Sequence, residues 1–335
     1  MILVTGGAGF IGSHLVEALV KRGQQVRILD NLSTGKKENL AEATGFPMLD
    51  LRDSSAKSAF FPLGEKAEFF FGDISDLDIC RQGCEGITYV FHQAALGSVQ
   101  RSVEDPLSTH RANATGTLNI LQAAREARVR RVIYASSSSV YGNISSDPEE
   151  SIPKRESLNP HPQSPYAATK LMGEVYCRVF SELYGLETVS LRYFNVFGPR
   201  QDPYSIYSAV IPKFITALLE SKPPVIYGDG NQSRDFTYVD NVVQANLLAI
   251  ERPGIAGQVL NIACGQQTSI NGLLSMLQNI SGEKISPRYE SPRTGEVRHS
   301  FASIDLAKSR LGYEAKIGMP EGVLATWHWF RKKDI

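Results

Sequence analysis

The sequence predicts a doubly wound α/β fold, in which helices cover both faces of a mostly parallel sheet. Short apolar runs rich in Val, Ile and Phe alternate with helical patterns through the first half of the chain. Runs that are apolar throughout are typical of parallel strands buried on both faces. A glycine-rich turn between the first run and the first helix is the second observation, because sheets of this kind bind nucleotides at such turns.

The predicted elements follow the chain in order and separate into two domains. Strands are predicted at Ile2–Val4, Val26–Leu29, Glu68–Phe71, Thr88–His92 and Arg131–Ala135, with a helix over Phe10–Lys21 after the first of them. From Asn195 onward prolines and glycines become frequent, and the helical patterns shorten to Ile211–Glu220, Val239–Glu251 and Ile270–Ile280. We therefore expect the sheet in residues 1–194. Residues 195–335 mainly form a smaller C-terminal α/β substrate-binding lobe, from which the chain crosses back to the sheet.

Composition excludes several partner classes. The 335 residues are 42% hydrophobic and 21% charged, which is ordinary globular usage, and the 35 basic residues equal the 35 acidic ones. A balanced charge favours neither nucleic acid nor a membrane surface as partner. The four cysteines form no CxxC pair and no metal-ligand spacing, so we predict reduced thiols and no metal. Without an apolar run of about 18 residues or a secretory leader, a cytoplasmic protein is expected.

Residues 45–64 fit the pattern poorly. Gly45–Gly64 adds more residues than a crossover needs and shows no clear period. A structurally neutral insertion is the simpler interpretation. An ordered surface loop or a partner-binding flap is the alternative.

The glycine-rich turn predicts a dinucleotide site. In Thr5-Gly-Gly-Ala-Gly-Phe-Ile-Gly12, glycines 6, 9 and 12 follow a strand and open an amphipathic helix. Gly6 is expected to make the tight turn, Gly9 to let the backbone approach a diphosphate, and Gly12 to pack helix against strand. The helix N-terminus then faces the anion.

Acidic and small residues at the next strand ends refine this prediction. Asp30 ends the second strand, where a carboxylate accepts hydrogen bonds from an adenosine ribose and repels a 2′-phosphate, so NAD is predicted over NADP. The alternative is that Asp30 only caps a turn with Asn31. Asp73 is placed to reach the adenine, and Ala94-Ala95 are small enough to let the dinucleotide cross the sheet edge.

A tyrosine, a lysine and a serine cluster predict the chemistry. Tyr166 and Lys170 are four residues apart on a helical pattern, so both side chains can meet one ligand. An ammonium group and an oxidised nicotinamide would together lower the pKa of the phenol, whose usual value is about 10. Serines 136–139 leave the fifth strand at the edge where such sheets bind ligands. The alternatives are a half-buried aromatic and a polar turn.

With these motifs in order, the chain resembles the extended short-chain dehydrogenase/reductase family, whose nucleotide-binding domain has the Rossmann fold, and within it the sugar-nucleotide 4-epimerases. The resemblance spans nearly the whole chain. It implies catalytic roles for Ser137, Tyr166 and Lys170, with Tyr166 as the base. The cofactor positions that it implies are Gly6, Gly9, Phe10, Ile11, Gly12, Asp30, Asn31, Ser33, Thr34, Gly35, Asp73, Ile74, Gln93, Ala94, Ala95, Asn113, Ser136, Tyr166, Lys170 and Tyr193.

The second half resembles the UDP-binding elements of the same family. Leu191-Arg-Tyr-Phe-Asn-Val-Phe-Gly198, Tyr227-Gly-Asp-Gly-Asn-Gln-Ser-Arg-Asp-Phe236 and Pro292-Arg-Thr-Gly-Glu-Val-Arg-His-Ser300 carry the likeness. It places Asn195, Arg234 and Arg293 on the diphosphate, where guanidinium groups make bidentate contacts. The substrate positions that it implies are Ser98, Ser137, Ser138, Ser139, Tyr166, Asn195, Val210, Tyr227, Gln232, Arg234, Arg293, Glu296 and Ser300.

The likeness is strongest to UDP-N-acetylglucosamine 4-epimerases. Ala94-Ala-Leu-Gly-Ser-Val99, Arg200-Gln-Asp-Pro203 and Val297-Arg-His-Ser300 carry it. Narrow-specificity UDP-galactose 4-epimerases usually have a tyrosine at the place of Ser300. Glu296 replaces a usual aspartate, and residues 143–163 are longer than usual, so the mouth of the site is expected to differ. The resemblance also implies a homodimer formed through helices on the face that carries the Tyr166 helix.

Other activities on the same fold stay open. Serines at 138 and 139, where 4,6-dehydratases have acidic residues, argue against elimination. A UDP-glucuronate 4-epimerase or decarboxylase needs a basic group for the sugar carboxylate, which Arg298 would supply. UDP-glucose/UDP-galactose 4-epimerisation is a further alternative. A non-enzymatic NAD-sensing protein would have little need to keep Ser137, Tyr166 and Lys170 together.

Overall fold

An eight-stranded sheet organises the first part of the chain in the computed structural model, which describes residues 1–47, 59–144, 147, 150–204, 209–292 and 298–333. The strands are β1 (Ile2–Thr5), β2 (Val26–Asp30), β3 (Ala59–Leu63), β4 (Ala67–Phe71), β5 (Tyr89–His92), β6 (Arg131–Ser137), β7 (Glu187–Tyr193), β8 (Val196–Phe197), β9 (Val225–Tyr227), β10 (Ser233–Arg234), β11 (Thr237–Tyr238), β12 (Gln258–Ile262), β13 (Thr268–Ser269), β14 (Arg288–Glu290) and β15 (His299–Ser300).

Helices connect many of these strands. They are α1 (Phe10–Lys21), α2 (Lys37–Thr44), α3 (Leu77–Cys84), α4 (Val99–Glu104), α5 (Pro106–His110), α6 (Gly116–Glu126), α7 (Pro165–Tyr184), α8 (Val210–Leu219), α9 (Val239–Glu251), α10 (Ile270–Ser281) and α11 (Met319–Lys332). Two π-helical segments (Arg111–Thr115 and Ala307–Leu311) and a 3₁₀ turn (Ser138–Tyr141) complete the described elements.

The chain forms two compact units whose segments interleave. One, here called the sheet unit, comprises Met1–Val140, Ser164–Arg192 and Val243–Leu260. The other, here called the second unit, comprises Tyr141–Gln163, Tyr193–Val242 and Asn261–Ile335. The predicted boundary at residue 194 lies next to the division at Tyr193, and a return of the chain to the sheet was expected, whereas the exchange at Tyr141–Gln163 was not. Val243–Leu260 returns to the sheet because β12 pairs at its edge, and Tyr141–Gln163 is bonded to residues of the second unit.

The strand order of the sheet is β12-β7-β6-β5-β1-β2-β4-β3. β1 lies between β2 and β5 and pairs with both in parallel, so the chain order reverses at β1. Such a reversal opens a crevice at the carboxyl ends of the central strands, where doubly wound sheets bind ligands. The predicted α/β class and the predicted strands and helices are confirmed, and α1 and α9 have the predicted bounds.

A buried apolar cluster lies between the sheet and helices α3, α6 and α7, with Leu3, Phe70 and Val90 from the strands. α7 approaches β6 closely because residue 173 is glycine. A Cβ there would lie 2.2 Å from the hydroxyl oxygen of Tyr134 on β6. The absence of a side chain at Gly173 therefore sets how near α7 lies to the sheet.

The segment that showed no period ends in a strand. β3 pairs antiparallel with β4 at the outer edge of the sheet, and the ring of Phe60 stacks on that of Phe70 with 4.3 Å between centroids. Residues 48–58 lie outside the described part of the chain. The described end of this insertion is thus an added edge strand, which the lack of alternation in Ala-Phe-Phe-Pro-Leu concealed.

The second unit is built around smaller sheets. β10 lies between β13 and β15, while β11 pairs with β8 and β14 with β9. The segment before α7 joins this arrangement, because Lys154 forms a β-bridge with Ala302 and its backbone N–H donates to Phe301. Residues next to β15 are thereby held by the segment predicted to be longer than usual.

Within the described ranges, no helix is long and apolar enough to cross a membrane. The same ranges contain no group of three or more His, Cys, Asp or Glu side chains arranged to hold a metal ion. All four cysteines are free thiols, and Cys80, Cys84 and Cys177 are buried.

Candidate active site

The glycine-rich turn lies against the residues that follow β5, too close to them for a side chain at Gly6. Gly6 has a φ of +68°, and a Cβ on it would lie 2.7 Å from the Cα of Ala94. A Cβ on Gly12 would lie 2.1 Å from the carbonyl oxygen of Gly6. Gly12 therefore packs against the turn itself, a contact not predicted from the sequence.

The first turn of α1 is open to an anion. Gly9 is the N-cap and supplies no capping side chain, and no acidic residue lies in the first turn. The N–H groups at the start of this 12-residue helix therefore carry no side-chain partner, and the helix dipole favours negative charge there. Phe10 and Ile11 are the first two residues of this turn and are half-buried.

Asp30 is buried and bound to backbone on both sides. Its carboxylate accepts from the N–H of Ala8 at 2.9 Å and from the N–H of Leu32 at 2.8 Å. Burial raises the pKa of Asp30, although these two donors oppose the rise. The residue therefore does cap a turn, and its carboxylate also braces the glycine turn.

The residues after β2 and β4 are joined by a side-chain hydrogen bond. The Asn31 amide donates to the Asp73 carboxylate at 2.8 Å. Asp73 has a lowered pKa: burial opposes the shift, and bonds from Ser75 and Asn31 with the charge of Arg111 outweigh it. Ser33 and Thr34 are exposed, and Gly35 packs so closely on Asp30 that a Cβ would lie 2.9 Å from both carboxylate oxygens.

The segment after β5 is fixed by Asn113. Its side-chain oxygen accepts from the N–H of Leu96 at 2.7 Å, and its amide donates to the Leu96 carbonyl at 3.2 Å. Gln93 donates to Asn246 at 3.2 Å, and the Ala94 N–H donates to the Thr5 hydroxyl at 3.2 Å. Asn113 therefore fixes the backbone of the loop that contains Ala94 and Ala95.

Three further positions predicted to contact cofactor or substrate are hydrogen-bonded or buried within the protein. The Ser98 hydroxyl accepts from the N–H of Arg101 and caps α4. The Ile74 carbonyl accepts from the Asn119 amide at 3.0 Å. Tyr193, at the end of β7, is buried.

The serine cluster and Tyr166 meet at the carboxyl end of β6. The Ser137 hydroxyl lies 3.0 Å from that of Ser139, and its oxygen accepts from the Ser139 N–H at 3.2 Å. Tyr166 is hydrogen-bonded to Ser137. Serines 137–139 and Tyr166 are each partly exposed, so these hydroxyls are accessible to a ligand.

Lys170 stands one helical turn behind Tyr166 on α7, which begins at the Ser164 N-cap. Its Nζ donates to the Ala135 carbonyl at 2.7 Å and lies 5.9 Å from the centroid of the Tyr166 ring. The predicted trio is therefore brought together, with the ammonium bound to backbone.

Burial governs the protonation of the trio. It raises the pKa of Tyr166, opposed by the Ser137 hydrogen bond. It lowers the pKa of Lys170 to about 8, opposed by the charges of Glu174 and Cys177. Within the chain alone, burial thus outweighs the Ser137 hydrogen bond at Tyr166, and the lowering of the phenol pKa by Lys170 together with an oxidised nicotinamide stays a prediction.

Two buried groups beside the trio were missed in the sequence. His92 lies between the hydroxyls of Thr5 (2.7 Å) and Thr117 (2.9 Å), and burial with the Lys170 charge lowers its pKa to about 3, so it is neutral. Glu174 forms a buried ion pair with Arg192. The only sequence signal for Glu174 was its i+4 spacing from Lys170.

The second unit holds the residues predicted to bind the diphosphate. The Asn195 amide donates to the Asp235 carbonyl at 3.1 Å, and the Arg234 guanidinium donates to the carbonyls of Ser233 and Arg298, both at 2.9 Å. Asn195 has a φ of +33°, which is unusual for a residue with a side chain. Arg293 and Glu296 lie outside the described residues.

Asp235, which the sequence did not single out, connects these segments. Its carboxylate accepts from the backbone N–H groups of Cys264 (2.9 Å), Gly265 (2.9 Å) and Ala302 (3.2 Å). Its own N–H donates to the Ser300 carbonyl at 2.9 Å. One buried acid thus fixes three segments around the strand that carries Ser300.

Ser300 is buried, 7% exposed, and is not an ordinary surface serine. It lies opposite Arg234 in the parallel pairing of β15 with β10. Elsewhere in this unit, the Gln232 amide donates to the Tyr227 carbonyl at 2.6 Å, and Val210 begins α8. The positions predicted for sugar and diphosphate are therefore strand neighbours at Arg234 and Ser300.

The Arg298 side chain forms an ion pair with Asp229. Its Nη2 donates to the Asp229 carboxylate at 2.8 Å, and this contact lowers the pKa of Asp229 to about 2. The arginine considered for a sugar carboxylate is therefore already paired.

Comparison with known proteins agrees with this geometry. Residues 2–263 match the NAD dependent epimerase/dehydratase family. A putative UDP-glucose 4-epimerase of Methanocaldococcus jannaschii is 38% identical over 335 residues, covering 100% of this chain and 99% of the relative.

Two solved structures are similar over their whole length. A UDP-N-acetylglucosamine 4-epimerase of Methanobrevibacter ruminantium, in complex with UDP-N-acetylmuramic acid, has a TM-score of 0.87 and 40% identity, covering 99% of this chain and 98% of that one. A UDP-glucuronic acid 4-epimerase of Bacillus cereus, in complex with UDP-glucuronic acid and NAD, has a TM-score of 0.84 and 33% identity, covering 99% of both chains.

The glycine turn, the uncapped start of α1 and the carboxylate at Asp30 fit a nicotinamide dinucleotide, and the matched family is NAD-dependent. The predicted family resemblance, fold class and cofactor are confirmed, and the chain belongs to the NAD dependent epimerase/dehydratase family.

Proposed function

We propose that the chain inverts the configuration at C4 of a UDP-hexose through a 4-keto intermediate, and that UDP-GlcNAc and UDP-GalNAc are the pair it interconverts. The observation that supports the chemistry most directly is the grouping of Ser137, Tyr166 and Lys170 at the carboxyl end of β6. A non-enzymatic NAD-sensing protein would not need this grouping.

In this mechanism the sheet unit supplies the acid and base. Tyr166 takes the proton of the 4-hydroxyl and later returns it to the same oxygen, while the Ser137 hydroxyl hydrogen-bonds that oxygen. Bound NAD, held by the glycine turn and Asp30 in this proposal, would supply the reversible hydride acceptor for C4. In this proposal Lys170, one turn along α7 from Tyr166, favours the phenolate and binds the ribose next to the nicotinamide.

The second unit holds the nucleotide. Asn195 and Arg234 bind the diphosphate in this proposal, and Arg293 is expected to join them. The sugar itself is held loosely, because the keto sugar must turn over before hydride returns to its opposite face. Firm contacts to UDP and few contacts to the sugar meet both requirements.

The structure favours an uncharged sugar over a uronate. Arg298, the basic group considered for a carboxylate, is bonded to Asp229. A UDP-glucuronate substrate bound through Arg298 would compete with Asp229 for the guanidinium. Separate incubation with UDP-GlcNAc, UDP-glucose and UDP-glucuronate, with products identified by NMR, tests the substrate directly.

Asp30 is proposed to select NAD. We expect Asp30→Ala to weaken NAD binding more than NADP binding, because it removes the acceptor for the ribose hydroxyls and the repulsion of a 2′-phosphate. Calorimetry on enzyme stripped of cofactor measures both affinities. Asp78→Ala, on the exposed side of α3, is the control. Equal weakening of both cofactors would mean that Asp30 only braces the glycine turn.

Tyr166 is proposed as the catalytic base. We expect Tyr166→Phe to keep NAD and UDP binding and to lose about 10²–10⁴-fold in kcat, the usual size of a positioned acid–base contribution. Tyr184→Phe removes a hydroxyl from the exposed end of the same helix and should retain wild-type turnover. Near wild-type kcat in Tyr166→Phe would rule out this base.

Ser300 is proposed to leave room for the 2-acetamido group. A tyrosine there would fill that space, and overpacking costs about 1–3 kcal/mol. We therefore expect Ser300→Tyr to lower kcat/KM for UDP-GlcNAc by about 5- to 150-fold, while sparing UDP-glucose. Ser309→Tyr, at an exposed serine, is the control. An unchanged ratio of the two substrates, in a variant that folds and binds NAD, contradicts the assignment.

We also propose a homodimer formed through α4, α5 and α7. α4 and α5 pack against α7, and this face exposes six apolar side chains: Val99, Val103, Leu107, Met172, Val175 and Leu183. A second copy of the chain would cover the same face on both partners, as two-fold symmetry requires.

Leu107 is 81% exposed, so replacing it should disturb the interface and not the fold. We expect Leu107→Glu combined with Val103→Glu to lower the mass in sedimentation velocity from two chains to one. Leu324→Glu, an exposed leucine on α11, should leave the dimer intact. A wild-type chain that sediments as a monomer at micromolar concentration would contradict the proposal.

A further inference from the structure

A buried carboxylate, that of Glu174, lies one helical turn beyond Lys170 on α7 and has no role in the mechanism proposed above. Glu174 is 4% exposed, and three donors converge on it. The Ser136 hydroxyl donates at 2.5 Å, Arg192 Nε at 2.8 Å and Arg192 Nη2 at 2.7 Å. Since Arg192 is as buried as Glu174, this ion pair is shielded from solvent.

Glu174 continues a series along α7. Tyr166, Lys170 and Glu174 are spaced four residues apart and therefore lie on one face of the helix, on three successive turns. Gly173 allows this part of the helix to contact β6.

Each of these three residues of α7 forms a hydrogen bond with one residue at the end of β6. Lys170 binds the Ala135 carbonyl, Glu174 binds the Ser136 hydroxyl, and Tyr166 is hydrogen-bonded to Ser137. The position of Ser137 relative to Tyr166 therefore depends on the two contacts that fix the residues before it. A change at Ser136 is transmitted directly along the backbone to Ser137.

Glu174 is also the negative charge that faces Lys170. The other groups around the ammonium are the Tyr134 ring on β6 at 5.2 Å, the Tyr166 ring on α7 at 5.9 Å, His92 on β5 and Cys177 on α7. His92 is neutral because its pKa is about 3, and burial raises the pKa of Cys177 to about 12 and that of Tyr134 well above its usual value.

Beyond Glu174 lies the positive charge of Arg192 on β7. Glu174 is the first of the groups that oppose the effect of burial on the pKa of Lys170, followed by Cys177, whose own pKa is raised to about 12. The two aromatic rings add a cation–π attraction for the ammonium. Removing the charge of Glu174 would also leave Arg192 uncompensated, which acts on Lys170 in the same direction.

We propose that Glu174 is a positioning residue of the reaction: it fixes Ser136, and through it Ser137, against α7, and it keeps the Lys170 side chain protonated. This inference rests on the proposed catalytic roles of Ser137, Tyr166 and Lys170. Glu174 itself touches neither substrate nor cofactor in this proposal.

Glu174→Gln tests the electrostatic part, because it removes the charge and keeps the shape. A lost negative charge lets both the Tyr166 proton and the Lys170 proton leave more easily. The whole profile of kcat against pH should therefore move to lower pH, by about 1–2 units for a unit charge one to two helical turns away (about 5–11 Å) at an effective dielectric constant of about 20. kcat at the optimum should fall about 10- to 100-fold with little change in KM, as expected for misplaced groups.

Three further variants separate charge from shape. Glu174→Asp keeps the charge on a shorter side chain, so kcat should fall while the profile stays at the wild-type pH. Ser136→Ala removes the tie to β6 without a change of charge and should behave in the same way. Glu182→Gln removes a negative charge from the exposed end of α7 and should match wild type in both respects.

The measurements use whichever of UDP-GlcNAc, UDP-glucose and UDP-glucuronate the wild type turns over. A folded Glu174→Gln variant with an unmoved profile overturns the electrostatic role. Should that variant fail to fold, wild-type kcat in both Ser136→Ala and Glu174→Asp overturns the positioning role. Wild-type turnover in Tyr166→Phe would instead overturn the proposed function, so the two failures are distinguishable.

Discussion

The approach of α7 to β6 is the constraint on which the proposed chemistry depends. It requires that residue 173 have no side chain, since a Cβ would lie 2.2 Å from the Tyr134 hydroxyl. With the helix at this distance, Lys170 reaches the Ala135 carbonyl and Tyr166 reaches Ser137. A helix displaced by a methyl group would break the short contacts first, because hydrogen bonds weaken steeply with distance and angle. A packing requirement in the core thus fixes distances at the edge of the sheet.

The two units meet different physical demands. In the sheet unit the groups that matter are buried, and burial dominates their ionisation: it raises the pKa of Tyr166 and lowers those of Lys170 and His92. An ionised side chain is therefore unfavourable in the sheet unit unless a specific partner stabilises it, as Glu174 does for Arg192. In the second unit the proposed nucleotide-binding residues are hydrogen-bonded to backbone carbonyls. The Asp235 carboxylate connects the neighbouring segments by accepting from the N–H groups of Cys264 and Ala302. Firm strands suit the proposed task of holding a nucleotide while the attached sugar turns.

The sequence predicted the local parts of the structure well and the tertiary parts poorly. The glycine turn, Asp30 and the Tyr166–Lys170 spacing are local patterns with a direct physical meaning, and the structure brings the predicted trio together. His92, Glu174 and Asp235 were missed because their importance arises from residues far away in the chain, such as Thr117, Arg192 and Ala302. The exchange of Tyr141–Gln163 into the second unit was missed for the same reason, since Lys154 pairs with Ala302, far away in the chain. The pKa of Tyr166 was expected to be lowered by Lys170 and an oxidised nicotinamide together, whereas within the chain alone burial raises it.

The added strand β3 has a consequence for the outer edge of the sheet. An exposed edge strand offers unpaired N–H and C=O groups to any extended chain that drifts past, which is how sheets of separate molecules fuse. Pro62 lies in β3 opposite Glu68, and proline has no N–H to offer. The Arg27 guanidinium lies 4.9 Å above the Phe60 ring, placing a charge over an exposed apolar side chain of that strand. The described end of the insertion therefore closes the sheet with a strand that carries a proline and a nearby cationic side chain, two features that disfavour edge-to-edge pairing.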